Sequence, residues 1–117
     1  HVDMGLGKTI TALTAIADIY KFGVARRPTL IIAPIAVCET VWRQEAAAWT
    51  HTRHLKLELL RGNERQRAYK LAQGYDILTG KRHTDAFLIN PELIPWLFKW
   101  LRNDWSYFDV LIIDDVA

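Results

Sequence analysis

The sequence holds a single cysteine, Cys38, in 117 residues. That excludes a disulfide within the chain and any zinc site built from several cysteines. A lone cysteine among apolar neighbours fits a reducing compartment and is expected to pack as a small hydrophobe. No apolar run approaches the roughly 18 residues of a membrane-spanning helix. No basic stretch followed by an apolar one opens the chain, so no secretory leader is expected. The chain opens on His1 rather than Met, which raises the expectation that a portion precedes it. Repeats, low-complexity tracts and Gly/Ser linkers are missing as well. Charge of one sign is scarce: 15 Lys+Arg against 13 Asp+Glu leave +2, too little to argue by itself for nucleic acid or a membrane surface. What remains is an ordinary globular mixture, 50% hydrophobic and 24% charged, in the length of one domain or a piece of one. Five tryptophans need a core or a partner to cover them.

Along the chain, strand and helix signals alternate. Residues 8–22 carry Ile10, Leu13, Ile16, Ala17 and Tyr20 at helical spacing, with Gly23 as a stop. Residues 29–33, TLIIA, form a short apolar run ended by Pro34, the pattern of a strand buried on both faces. A second helix is expected over 37–49, with Val37, Val41 and Ala48 on its inner face and Trp42 and Trp49 flanking. Residues 55–60, LKLELL, alternate like a half-buried strand. Asn63 can cap a helix running to Gln73, with Gly74 after it. Residues 75–79 read as a short strand, 80–84 as a polar loop and 86–89 as another buried run. Pro91 is placed to start a helix whose stripe is Leu93, Ile94, Leu97, Trp100 and Leu101. Residues 110–113, VLII, read as a last buried strand. Buried strands alternating with amphipathic helices predict an α/β fold, a parallel sheet in three layers with flanking helices. In such sheets ligands bind beyond the carboxyl ends of the strands.

Two short segments carry chemistry. Met4 to Thr9, MGLGKT, opens the first helix. Gly5 and Gly7 permit backbone conformations closed to other residues and a close approach to a ligand. Free amides there can point at phosphate oxygens, with Lys8 reaching the β- and γ-phosphates and the Thr9 hydroxyl binding Mg²⁺. The full phosphate-loop pattern has a glycine where Val2 stands, and a dinucleotide fingerprint would need one where Ile10 stands. The second segment is Asp114–Asp115, directly after VLII. In phosphate-loop ATPases a strand-end acid holds the magnesium and a neighbouring acid can orient the attacking water.

Four segments in order, DMGLGKT, LIIAPIAVCETVWRQEAAAW, LINPEL and FDVLIIDDVA, resemble successive motifs of superfamily 2 helicase-type ATPases, most of all the Swi/Snf-type group and its bacterial and phage members. The resemblance implies an incomplete RecA-like P-loop NTPase lobe over residues 1–117, the first of two, truncated at both ends. It implies ATP and Mg²⁺ as ligands, with Met4, Gly5, Leu6, Gly7, Lys8, Thr9 and Ile10 around the nucleotide. Thr9 and Asp114 would be on the metal, and Lys8, Asp114 and Asp115 would be catalytic. It implies double-stranded DNA and a second RecA-like lobe as partners of the parent enzyme, hydrolysis coupled to translocation, and a bacterial or phage-infected cytoplasm. Pro34 and Trp42 match one family motif, and the LINPE segment matches the one that ends near the DNA backbone. Three positions depart from the pattern: Val2–Asp3 for Asp-Glu, Ala36 for a hydroxyl residue, and Asp115 for the family's glutamate, one methylene shorter. Without its second lobe the chain alone is expected to lack DNA-stimulated turnover. Two other readings stand beside this one: a small phosphate-loop kinase, and a non-catalytic remnant that binds nucleotide weakly.

Arg61, Arg65, Arg67, Lys70, Lys81 and Arg82 could follow a DNA backbone, though a solvated face is the default. His51, His54 and His83 lack metal-site spacing and are expected at the surface. Trp100 is expected in the core, whereas Trp96, off the stripe, is expected to cover a further element.

Overall fold

A computed structural model describes residues 4–114, with side chains from Lys8 onward. Helix α1 (Met4–Lys21) leads to strand β1 (Thr29–Ile32), helix α2 (Ile35–Ala48), strand β2 (Leu57–Leu59) and helix α3 (Glu64–Gly74). A small hairpin, β3 (Tyr75–Asp76) and β4 (Lys81–Arg82), precedes strand β5 (Ala86–Ile89). A 3₁₀ turn over Pro91–Leu93 runs into helix α4 (Ile94–Trp100), and a second one over Trp105–Tyr107 precedes strand β6 (Val110–Ile113). The main sheet has four parallel strands in the order β2-β5-β1-β6. This is the expected three-layer α/β arrangement.

The layers follow from alternation along the strands. Ile31 and Leu88 turn to one face, where Leu13, Ile16 and Ala17 of α1 and Cys38, Trp42 and Ala46 of α2 cover them. Leu30, Phe87 and Ile89 turn to the other, beneath Leu71 of α3, Leu97 of α4 and Tyr107. The chain steps from β1 outward to β2 through α2 on the first face. It then reverses through α3 and α4 on the second, as a single hand of crossover requires.

Local chemistry sets the boundaries. Asn63 and Gln66 form a reciprocal cap at the start of α3: the Asn63 side chain accepts from the Gln66 N–H and the Gln66 side chain from the Asn63 N–H, each at 2.9 Å. Gly74 is the last residue of that helix rather than the one after it, and it is buried. A Cβ there would collide with the Phe87 ring, so only glycine lets α3 close down on β5.

Several expectations are corrected. α1 starts at Met4, not Lys8: the Gly5–Gly7 stretch contains no proline, and glycine costs only about 1 kcal/mol per residue in a helix, so the helix propagates through it. The buried stripe of α2 is Cys38, Trp42 and Ala46, one residue on from Val37 and Val41. The 80–84 loop is partly a strand, because the Asp76 carboxylate accepts from the Leu78 and Thr79 N–H groups and Gly80, at φ 75°, closes the turn that pairs β3 with β4. Pro91 opens a 3₁₀ turn before α4 rather than α4 itself. β6 is not buried on both faces: it lies at the sheet edge, with Leu111 56% and Ile113 65% exposed while Ile112 packs inward. Trp96 stacks on Trp100 and lies under the Arg67 guanidinium at 4.5 Å, so elements of the chain itself occupy its ring.

Gly74→Ala should destabilise the chain by about 1–3 kcal/mol through overpacking against Phe87, read as a lowered urea midpoint with an unchanged slope. An unchanged midpoint would mean that α3 can lift away freely.

Candidate functional site

Parallel pairing brings three loops to one edge of the sheet. Beyond β1, the Ala33 N–H still donates to the Ile89 carbonyl at 3.0 Å, and beyond β6 the Asp114 N–H donates to the Ile32 carbonyl at 2.7 Å. Asp114 is therefore held at the carboxyl edge, level with Ala33 and Asn90. On the same side, α1 is fastened to the sheet by Leu13, Ile16 and Ala17. Its earlier residues Lys8, exposed, and Thr9, 1% exposed, stand beside the end of β6.

Lys8, Thr9, Ala12, Trp42, Ile112, Ile113 and Asp114 line one cavity of about 140 Å³. Lys8 and Thr9 thus meet Asp114, about a hundred residues downstream. Ile10 packs against the core and is not among the lining residues. Asp115 lies outside the described residues. The backbone of Met4, Gly5, Leu6 and Gly7 forms the first turns of α1 rather than a loop.

Trp42, which the helical pattern placed on a flank and the family resemblance paired with Pro34 without a role at the phosphates, lines this cavity. Its ring is 2% exposed, and its indole N–H donates to Asp114 Oδ2 at 3.2 Å. The available signal was chemical: a tryptophan buried in a core must find an acceptor for its N–H, and Trp42 falls one helical turn after Cys38.

Cys38 lies beneath this corner, fully buried, its Sγ donating to the Ala33 carbonyl at 3.3 Å. Burial, with a smaller push from the Asp114 charge, raises its thiol to about 11. It packs as the small hydrophobe expected.

The opposite edge is held by carboxylates that serve the backbone. Asp109 accepts from the N–H groups of Arg26 and Arg27 at 2.9 and 2.8 Å, and the Arg27 bond first of all holds its carboxyl below the usual range. Asp85 accepts from the Lys56 N–H at 2.7 Å and from Arg82 at 2.9 Å. The Tyr20 hydroxyl sits among the Arg27 carbonyl, the Thr29 hydroxyl and the Asp85 carbonyl, and burial pushes it up to about 12.

The basic residues of the middle region mostly have structural partners. Arg67 is buried and donates to the Gly62 carbonyl. Arg61 pairs with Glu39, and Lys70 donates to the Leu59 carbonyl at 2.7 Å with Glu58 at 3.4 Å. Arg82 covers the Tyr20 ring at 3.6 Å, while Arg65 and Lys81 are exposed. His51 is at the surface, its Nε2 2.8 Å from the Thr14 hydroxyl. Among the described residues no three His, Cys, Asp or Glu side chains cluster as a metal cage, and no helix is long and apolar enough to cross a membrane.

The sheet order and its edge of loops define part of a three-layer α/β lobe of the RecA-like kind. Residues 2–89 match the SNF2-related domain, which is most of the chain: it belongs to the SNF2-related family. It is 31% identical over 112 residues to protein p41 of the Acyrthosiphon pisum secondary endosymbiont phage 1, covering 96% of this chain and 22% of that protein. It is 44% identical over 48 residues to chromodomain-helicase-DNA-binding protein 8 of Xenopus tropicalis, covering 41% of this chain and 2% of that protein. The chain thus spans about a fifth of the phage relative's length or less of the relatives it matches.

Cys38 should resist iodoacetamide at pH 8 in the folded chain and react once urea unfolds it. Because its folded value is raised, the stability it contributes is present below the ordinary thiol value of 9.0 and is lost as pH climbs through about 11. Rapid labelling of the folded chain at pH 8 would contradict both statements.

Proposed function

We propose that the cavity between α1 and the end of β6 seats the phosphate end of ATP, and that the chain is the nucleotide-holding part of the first RecA-like lobe of a SNF2-type ATPase. The observation that carries this reading is the convergence of Lys8, Thr9 and Asp114 on one cavity. Membership of the SNF2-related family supports it.

The residues fit the groups the reading requires. The cavity, about 140 Å³, is smaller than the roughly 300–1,000 Å³ of pockets that enclose a whole ligand, so it suits phosphates while the base lies outside. A hydroxyl and a carboxylate suit Mg²⁺, which takes one or two protein oxygens and completes its shell with water and phosphate. Thr9 and Asp114 would hold it, and it would supply neutralisation of charge on the β- and γ-phosphates. Lys8 would place a point charge on the phosphate being transferred. Gly5 and Gly7 make the first turn of α1 cheap to open, so that the amides of residues 5–9 can face the phosphate oxygens. Asp115 would orient the attacking water through its carboxylate.

A second RecA-like lobe would complete the site from outside with an arginine. Pro34–Ala36 and Asn90–Leu93, on the same edge of the sheet, would face double-stranded DNA, and closure of the lobes would couple hydrolysis to translocation. The setting is the cytoplasm of a bacterium or of a phage-infected cell.

Two substitutions test the site by fluorescence titration with mant-ATP in the presence of Mg²⁺. Lys8→Ala should weaken binding about 10- to 100-fold, the worth of one charged contact; unchanged affinity would refute the assignment. Asp114→Asn keeps an acceptor for the Trp42 indole but loses the charge. It should leave the far-ultraviolet circular dichroism unchanged and abolish the Mg²⁺ dependence of binding. Global unfolding of that variant would make Asp114 a structural residue instead.

A further inference from the structure

The geometry points to Trp42 as a positioning residue: its indole N–H holds the Asp114 carboxylate in the orientation that takes Mg²⁺. The inference rests on the nucleotide site proposed above and adds to it a residue from α2, an element that supplies neither the lysine nor the carboxylate.

Three observations carry it. The indole N–H reaches Asp114 Oδ2 at 3.2 Å, and its acceptor is a side chain, whereas most side-chain hydrogen bonds go to backbone or water. Trp42 lines the same cavity as Lys8, Thr9 and Asp114, so the bond lies at the wall of the site. The ring cannot drift: it is 2% exposed and packed in one cluster with Leu13 and Ile16 of α1, Cys38 and Ala46 of its own helix, and Leu88 of β5.

The physical need is specific. The backbone of Asp114 is fixed by the bond to Ile32, but the terminal torsion of an aspartate is broad and roughly two-fold. Backbone pairing therefore leaves the carboxylate plane undetermined. A donor built into the core, aimed at one oxygen, holds that plane at the wall of the cavity. Partners of this kind, one step removed from a metal, typically change metal affinity about 10- to 100-fold when lost.

The test uses the ¹⁵N-labelled 117-residue chain, whose five tryptophans give separate indole signals. Trp42→Phe keeps most of the ring volume, removes the donor and identifies the Trp42 signal by its disappearance. In that variant the Mg²⁺ concentration for half-maximal mant-ATP binding should rise about 10-fold, with affinity at saturating Mg²⁺ unchanged. In the unsubstituted chain, Mn²⁺ with ADP should broaden the Trp42 indole signal before the other indole signals. That second measurement stands even where the variant folds poorly. If Lys8→Ala loses mant-ATP binding while Trp42→Phe needs no more Mg²⁺ than the parent, the role of Trp42 is overturned and the site survives. If Lys8→Ala binds as the parent does, both readings fall together. Broadening of another indole ahead of Trp42 with nucleotide bound would also overturn the inference.

Discussion

Strand β1 is the constraint on which the rest of the molecule depends. It is paired in parallel on both sides, with β5 and with β6, and both its faces are covered. Thr29, Leu30 and Ile31 are fully buried, and Leu30 and Ile31 belong to opposite clusters of the core. Four residues thus fix which helices lie on which side. They also fix the level at which the neighbouring strands end, because the ladder continues from Ala33 to Ile89 and from Asp114 to Ile32. Remove that register, and Pro34, Asn90 and Asp114 would no longer share an edge.

The parts legible in the sequence are those whose cause is local or whose burial is complete. β1 and β5 were plain as apolar runs because both their faces are covered. The cap at Asn63 was plain because a capping side chain acts within three residues. The resemblance to the Swi/Snf-type group rested on short ordered segments, and the family match agrees with it. Lys8, Thr9 and Asp114 could be named one by one, but their meeting at a cavity is a product of topology. What was illegible depends on a partner far along the chain. The inner face of α2 turns on where α1 and the sheet lie, which moves the stripe to Cys38, Trp42 and Ala46. The partial exposure of β6 depends on its edge position, since an apolar tetrapeptide looks alike at the centre and at the rim. The Trp42–Asp114 bond joins residues 72 apart, and no spacing rule reaches that far.

The abundance of aromatic residues has a packing explanation on one face. α4 is a single short helix of 7 residues, and alone it covers little of the sheet. Tyr75, Phe87, Trp100, Tyr107 and Phe108 make a chain of edge-on and tilted contacts with centroids 4.7 to 6.3 Å apart. Trp96 and the Arg67 guanidinium above it extend that layer toward α3. Broad rings do there what a longer helix does elsewhere. The Tyr107 hydroxyl is spared an orphaned proton by donating to the Leu71 carbonyl, and burial raises its ionisation well above the ordinary range.

The two ends of the sheet treat their carboxylates differently. At the amino end, Asp85 and Asp109 close on backbone N–H groups, and Arg82 and Tyr20 seal the gaps between them. At the carboxyl end, Asp114 faces a cavity beside an exposed lysine. The lobe is therefore polarised like a vessel, welded at the base and open at the mouth. On the nucleotide site proposed above, inherited variation should divide along the same axis: changes near Asp109 would lower how much folded protein a cell retains, whereas a change of Asp114 itself would alter what the retained protein binds.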